Sequence, residues 1–191
     1  VSGKVMSSDL TDGYVSTLSP GPSDTKVSVL VDAGNVVLNA SSDVIQADIE
    51  AENGVIHVID EVLLPPTVVD IAVDNGSFTS LVAALTKAEL VETLSGDGPF
   101  TVFAPTDAAF SAFLDDLGVT LDDLTKEDLV PILQQHVVSG NVLSSDLSSG
   151  DVQTLNGTIS IEVGDQVTIN GNTTVTATDI QGKNGVVHVI D

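Results

Sequence analysis

Arginine, cysteine and tryptophan are absent from this sequence, and five lysines stand against 28 acidic residues. A nucleic-acid-binding protein needs basic groups that displace counterions from phosphate, so the composition excludes that class. An anionic membrane surface would repel the chain for the same reason. No apolar run approaches the roughly 20 residues of a membrane-spanning helix, so we expect no membrane insertion of this segment. The absence of cysteine excludes disulfides, thiolate zinc sites and cysteine catalysis.

What the chain does have is enough apolar material for a folded core. The hydrophobic fraction is 42% and the formal net charge is −23, which indicates a folded protein with a solvated acidic surface rather than a disordered chain. Positively charged partners, bridging divalent cations and a high-salt habitat stay open as uses of that surface.

Two parts of the sequence repeat each other. Asn53–Asp60 reads NGVIHVID and Asn184–Asp191 reads NGVVHVID, and residues 1–10 match residues 138–147 in the same way. Residues 66–137 occur once, so the chain is half of a repeated domain followed by nearly a whole one. We expect a fragment of a longer tandem array, in which the last strand of the second copy is cut short. The alternative is a permuted molecule in which residues 1–60 complete the segment 66–137.

The repeated segments have the pattern of β-structure. Thr158–Val163 and Gln166–Asn170 alternate apolar and polar residues around Gly164-Asp165, which predicts a hairpin with a two-residue turn. In the closing strands, alternation puts three residues of each copy on one face: Val55, His57 and Ile59, and Val186, His188 and Ile190.

The segment that occurs once has the pattern of helices around one strand. Thr67–Asp70 resembles a capping box, and Ser77 is predicted to cap a longer helix that ends near Gly96. Phe100–Ala104, followed by Pro105, is typical of a buried strand.

Two further helices are predicted after that strand. Thr106 is predicted to cap the first, with Asp107 in its first turn favourable to the helix dipole. The second runs from about Thr125 to Val137, and Pro131 is expected to divide it into a short turn and a main helix.

Three segments of the chain now stand in order: Thr101–Phe110 (TVFAPTDAAF), Ile132–Gly140 (ILQQHVVSG) and Gly185–Asp191 (GVVHVID). The first and third closely resemble the two signature blocks of the fasciclin-like domain family, and the second resembles the helix and turn between them. The resemblance assigns residues 1–65 to the C-terminal half of a first domain. It assigns residues 66–191 to a second, nearly complete domain.

The resemblance implies an α+β fold, a wedge or sandwich of β-sheets with helices packed on one side. It also implies tandem domains in a secreted, extracellular or cell-surface setting, with a role in adhesion or matrix interaction. The expected partner is a cell-surface or matrix protein or a polysaccharide. Weak calcium bridging through the acidic surface is a further expectation.

His136 occupies a position that the resemblance links to adhesion. The family carries a Tyr-His pair near this point, whereas this chain has Gln135 before His136. Since His136 also falls on the apolar stripe of its predicted helix, we favour a buried, neutral, hydrogen-bonded imidazole over a direct recognition role. Gln135 and His136 therefore stand as the candidate binding residues at a motif position that this chain only half retains.

The other candidate residues are read as structural. His57 and His188 are equivalent in the two copies and lie among valines and isoleucines, without a second histidine or a cysteine nearby. The Asp-rich stretch Leu114–Leu124 lacks the ligand spacing of a calcium-binding loop, so no metal site or cofactor is predicted. No nucleophile elbow, phosphate loop, dinucleotide fingerprint or zinc-protease motif occurs, which indicates that the chain is not an enzyme.

Two functions from different classes follow. One is a non-enzymatic adhesion or matrix-interaction module carried in tandem copies. The other is a soluble, secreted binding module for a small ligand or polysaccharide, which would need an apolar pocket between the helices and the sheet. Residues 1–65 lack a helical segment of their own, so we expect their sheet to carry an uncovered apolar face.

Overall fold

The computed structural model describes residues 1–34 and 36–191. The α-helices of this described part all lie between the two repeated segments: α1 (Val68–Asn75), α2 (Thr79–Lys87), α3 (Val91–Ser95), α4 (Asp107–Leu117) and α5 (Lys126–Gln135). The N-terminal strands are β1 (Gly13–Pro20), β2 (Lys26–Asp32), β3 (Val37–Leu38), β4 (Ser42–Ala51) and β5 (Gly54–Ile59). The remaining strands are β6 (Phe100–Pro105), β7 (Val137–Ser139), β8 (Gly150–Gln153), β9 (Thr158–Val163), β10 (Val167–Ile169), β11 (Thr173–Gly182) and β12 (Gly185–Ile190).

The strands form two sheets. The first has the order β1-β2-β3-β4-β5 and the second has the order β7-β6-β12-β11-β10-β9-β8. The strand β6 runs parallel to β12, and its residues 100–105 pair with residues 185–190. The helical segment is therefore completed by residues 138–191, and the permuted arrangement with residues 1–60 is wrong.

The sequence repeat is also a structural repeat. Val44 pairs with Ile59 and Ala51 with Gly54 in the first sheet, and residues 131 positions later make the same pairs between β11 and β12. The irregularities in register also fall at the same places in the two hairpins. Each copy also hydrogen-bonds a serine to an aspartate on the long strand, Ser7 to Asp48 and Ser144 to Asp179. We call residues 1–65 the N-terminal unit and residues 66–191 the C-terminal unit.

Several local predictions match the structure and three do not. Thr67 and Asp70 make the predicted capping box, and Phe100–Pro105 is a buried strand. The hairpin loop after Val163 has three residues rather than two, because Val163 pairs with Val167. The register is decided by the pairing of β9 with β10, which a turn dipeptide alone does not determine.

The helix predicted after Ser77 is two helices. Phe78, not Ser77, occupies the N-cap position of α2 and caps nothing with its side chain. Glu89 has a φ of 58°, a left-handed conformation that ends α2 before α3 begins. Tertiary contacts supply the missing cap, since the carboxylate of Asp107 accepts hydrogen bonds from the backbone of Thr79 and Ser80.

Pro131 does not interrupt the last helix. The helix α5 runs continuously from Lys126 to Gln135 with Pro131 inside it. Thr125 and Asp128 form a capping box at its start, so backbone N–H groups of the first turn have hydrogen-bond acceptors. Proline at the sixth helical position removes one hydrogen bond, and the packing of Leu129 and Leu133, both buried, outweighs that loss.

Two apolar cores lie on opposite faces of the strands β6 and β12. The larger joins the helices to the sheet and includes Phe78, Leu85, Val102 and Val187. The smaller is enclosed by the folded-over strands β8, β9 and β10, and its members are Phe103, Val138, Leu147, Ile159, Ile161, Ile169 and Ile190. The C-terminal unit therefore has both faces of its central strands covered.

The two units touch through polar and apolar contacts. Tyr14 accepts a hydrogen bond from Asn75 and donates one to the carbonyl of Ile71. The backbone of Gln181 donates to the hydroxyl of Ser28, beside Val27, which is buried. No helix in the described ranges has the length and apolar character needed to cross a membrane.

Candidate binding groove

A groove of about 370 Å³ lies between α4, α5 and the end of β12. Its floor is apolar, and its rim carries polar groups from several elements. The floor includes Leu81, Phe110, Leu133 and Ile190, and the rim includes Asp116, His136, Asn172 and Asp191. An apolar concavity with a few polar groups is the usual form of a ligand site.

Two phenylalanines of α4 form one side of the groove. Phe110 is buried and Phe113, one turn later, is 36% exposed. Their ring centroids are 6.3 Å apart with an interplanar angle of 77°, an edge-to-face contact. Phe113 is partly exposed to solvent, where its ring is available to a partner.

The start of α4 is held by Thr106 and Asp107. The side chain of Thr106 accepts a hydrogen bond from the backbone of Ala109, as the sequence predicted. Burial raises the pKa of Asp107, but the hydrogen bonds from Ser80 and Thr79 outweigh it and hold that pKa below its usual value. This carboxylate ties the first turns of α2 and α4 together, so its role extends beyond the dipole of its own helix.

His136 lies at the C-terminus of α5, between the main groove and a smaller cavity of about 120 Å³. Its Nδ1 lies 2.8 Å from the carbonyl oxygen of Ile132, and its own carbonyl accepts a hydrogen bond from the backbone of Phe103. In the described part of the chain, no side chain or backbone group hydrogen-bonds to Nε2. Gln135 is exposed and lines only the smaller cavity.

His57 and His188 have the same environment in their two units. His188 Nδ1 accepts from the backbone of Asp179 and Nε2 lies 2.9 Å from the carbonyl oxygen of Val142. His57 makes the corresponding contacts with Asp48 and Val5. His188 is fully buried and stacks on Phe103, with ring centroids 5.5 Å apart, whereas His57 is half-buried. Each ring joins the long strand of its unit to a residue outside the strands, and neither lines the main groove.

The environment of two histidines predicts a pH dependence of stability. Burial lowers the pKa of His136 and of His188, and the hydrogen bonds to Ile132 and Val142 oppose it only in part. The unfolded chain therefore binds more protons than the folded one below about pH 6.5, and the free energy of unfolding falls as the pH drops from there. Urea unfolding at pH 7.5, 6.5 and 5.5 should show that decline. The lowered carboxylate pKa values act only nearer pH 4, outside this window.

Proton NMR of the imidazole rings provides the residue-specific check. The C–H resonances of His136 and His188 should stay in their neutral positions to a lower pH than those of an unfolded reference peptide. Titration of both rings at about pH 6.5, with no change in stability over the same range, would contradict the prediction.

The acidic loop after α4 is organised by its own side chains. Asp123 accepts hydrogen bonds from Thr120, and Lys87 donates to the carbonyls of Leu121 and Asp122. Across residues 1–34 and 36–191, no three His, Cys, Asp or Glu side chains are placed to hold a metal ion.

Sequence reasoning missed the residues that connect the site to its scaffold. Asn184 was read only as the first residue of the repeated closing segment, yet its buried side chain joins α1, α3 and β12. Phe103 was read as one residue of a buried strand, yet its ring lies against His188 and lines the smaller cavity. The signal that could have found Asn184 is weak, because Asn53 has the same local sequence and lacks those contacts.

The amino-acid sequence is similar to those of known proteins. The family model of the fasciclin domain matches residues 1–65 and 76–191. The chain is 44% identical to protein sll1483 of Synechocystis sp. over 131 residues, which cover 65% of this chain and 71% of that protein. It is 34% identical to the transforming growth factor-beta-induced protein ig-h3 of Sus scrofa over 165 residues, which cover 83% of this chain and 24% of that protein.

A solved structure has the same fold. The FAS1 domain pair of the insect cell adhesion molecule Fasciclin I superimposes with a TM-score of 0.60 at 21% sequence identity. The alignment covers 93% of this chain and 65% of that one. The similarity shows an α+β fold of two β-sheets with helices.

Proposed function

Because the chain belongs to the fasciclin domain family, whose members are non-enzymatic modules, we propose that it is an extracellular adhesion or matrix-interaction module. It binds a cell-surface or matrix protein, or a polysaccharide, without turnover. The relatives that carry names related to adhesion support this proposal, and so does an acidic surface suited to an exterior setting.

The domain division is part of the proposal. Residues 1–65 are the C-terminal half of one fasciclin domain, and residues 66–191 are a nearly complete second one. The identical strand register of the two units supports this division, as does the pairing of β6 with β12.

The groove beside α4 is the observation that carries the proposed binding activity. It combines the exposed ring of Phe113 with an apolar floor and the polar groups of Asp116 and His136. Aromatic anchors with a polar rim dominate the energetics of protein interfaces. Gln135 lines the neighbouring smaller cavity and not this groove, so we assign it no central contact with a partner.

The same groove favours a second function from another class. A concavity of about 370 Å³ lies within the range of small-molecule sites, so a soluble module for a small ligand is the alternative. The two functions require different parts of the groove. A cell-surface or matrix partner needs the exposed ring of Phe113, whereas a small ligand needs only the enclosed floor.

Blocking the groove tests the proposal. Ala112 lines it and is exposed, so Ala112→Trp should occupy the groove and weaken binding to immobilised cells, matrix protein and polysaccharide by tenfold or more, about 1.4 kcal/mol. Ala108→Trp is the matched control, since Ala108 is exposed on the same helix but outside the groove. Surface plasmon resonance with and without calcium measures the binding and any calcium bridging.

The result also separates the alternatives. Saturable binding of the parent chain that survives moderate salt, and that only Ala112→Trp weakens, supports the adhesion module. Absence of saturable binding to every surface contradicts it. A small molecule that shifts groove resonances while surface binding is absent would favour the soluble module.

A further inference from the structure

The two copies of the repeat differ in the length of one hairpin. Ser16 pairs with Ser28 in the N-terminal unit, and Gln153 pairs with Thr158 at the equivalent place in the C-terminal unit. Eleven residues lie between the first two and only four between the second two. The second copy closes the same hairpin with the shorter connection, so the additional residues are not needed for the turn. We call residues 17–27 the extended hairpin end.

The extended hairpin end lies against the C-terminal unit. A Cβ at Gly21 would be 3.2 Å from Cγ of Gln181 and 3.4 Å from the carbonyl oxygen of Gly182. Gln181 is only 3% exposed, whereas Glu50, its equivalent in the repeat, is exposed. The additional residues of the first copy therefore contact the turn between β11 and β12 of the second.

One face of the hairpin formed by β1 and β2 also contacts the C-terminal unit. Tyr14 lies opposite Leu30 in the register of the two strands, and Ser28 is two residues from Leu30, so all three side chains share that face. Tyr14 packs against the larger core. Ser28 is 6% exposed and accepts a hydrogen bond from the backbone of Gln181. We call Tyr14, Ser28 and Leu30 the hairpin face.

The hairpin face meets the C-terminal end of α1. Leu30 lines a crevice of about 650 Å³ together with Asp74 and Asn75. Burial raises the pKa of Tyr14, the hydrogen bond from Asn75 opposes that rise, and the charge of Asp74 adds to it. Burial, and then the charge of Asp70, raise the pKa of Asp74. A carboxylate in place of Tyr14 would therefore face a like charge at the negative end of the helix dipole.

The equivalent face of the C-terminal unit is open to solvent. Asp151, Thr158 and Ser160 stand at the positions of Tyr14, Ser28 and Leu30, and all three are exposed. This unit carries the helices α1 to α5, and they leave the face uncovered. A helical segment of the first domain would leave the hairpin face uncovered in the same way, so its cover comes from the following unit.

We propose that the hairpin face and the extended hairpin end are a docking surface for the fasciclin unit that follows in the chain, and that they hold the two units as one rigid body. The surface takes the end of α1 and the turn between β11 and β12. Neighbouring domains of one chain move relative to each other unless a specific interface fixes them. The inference rests on the domain division proposed above and not on the groove beside α4.

Distances between spin labels test the joint on the whole chain. The sequence has no cysteine, so labels can be attached at two introduced ones. Ile45→Cys places one label in the N-terminal unit and Asp165→Cys places the other in the C-terminal unit, both at exposed positions. Double electron–electron resonance should give one narrow distance, because the docked units have a single relative orientation.

The C-terminal unit supplies the substitutions for the variants. Tyr14→Asp combined with Leu30→Ser gives the hairpin face the residues of its exposed equivalent, and should broaden the distance distribution about twofold or more. Ser16→Gln is the matched control, since it also transfers a residue of the second copy but at an exposed position of β1. It should leave the distribution unchanged. Amide NMR of β4 and β5 reports whether the N-terminal unit is folded in each variant.

Each outcome decides the proposal. Broadening in the double variant alone, with the amide spectrum of β4 and β5 retained, supports a docking surface. A broad distribution in the parent chain, or equal widths in all three proteins, would overturn it. Loss of the β4 and β5 spectrum in the double variant would assign Tyr14 and Leu30 to the folding of their own unit and overturn it as well. Ala112→Trp changes no residue of the joint, so the binding proposal fails separately.

Discussion

Replacing Asn184 with alanine is expected to lower the free energy of unfolding by about 4 kcal/mol. The side chain is buried, and its Oδ1 accepts a hydrogen bond of 2.9 Å from the backbone of Val68. Its Nδ2 donates hydrogen bonds of 2.8 Å to the carbonyls of Leu94 and Gly96. Alanine would leave these backbone groups unsatisfied, and each buried unsatisfied group costs about 1–3 kcal/mol.

The repeat provides a control at the equivalent position. Asn53 opens β5 in the same local sequence, but it is exposed and makes no side-chain hydrogen bond to another described residue. Asn53→Ala should therefore change stability by less than about 0.5 kcal/mol. Urea unfolding of both variants measures the difference, and equal losses would show that the asparagine acts locally in its turn rather than through the helices.

Gly185→Ala should destabilise the C-terminal unit by about 3 kcal/mol or more. An added Cβ would overlap the carbonyl oxygen of Phe100 and lie 2.8 Å from its backbone nitrogen. These are backbone atoms of the neighbouring strand, so relief requires β6 to move away from β12. That movement would loosen Phe103, which is buried in the smaller core.

Gly54→Ala is the matched control, because a Cβ there has nothing within 4 Å. We expect a stability change of less than about 0.5 kcal/mol. Hydrogen exchange of the amides of β6 and β12 should accelerate in Gly185→Ala only. Protection that stays unchanged, together with parental stability, would show that the strands accommodate a methyl group and would contradict the packing argument.

The sequence analysis was correct for features that depend on residues close together in the chain. Thr67 and Thr106 are N-caps because their side chains reach amides within the same turn. The closing strands appear where alternation and repetition both indicate them. The prediction failed at Ser77 because the cap of α2 comes from Asp107, 28 residues away from Thr79. It failed at Pro131 because burial of the helix face outweighs one lost hydrogen bond.

The sequence by itself determined that this protein consists of a repeated β-unit with one helical segment, since a repeat and a hydrophobic period are properties of the residue order. It also placed His136 on the apolar stripe of a predicted helix. Only the tertiary structure decided which copy of a repeated residue is buried and contributes to stability. Asn184 and Asn53, or Gly185 and Gly54, have the same neighbours in sequence. They differ because β6 lies beside β12 and not beside β5, and burial depends on that long-range pairing rather than on the residues themselves.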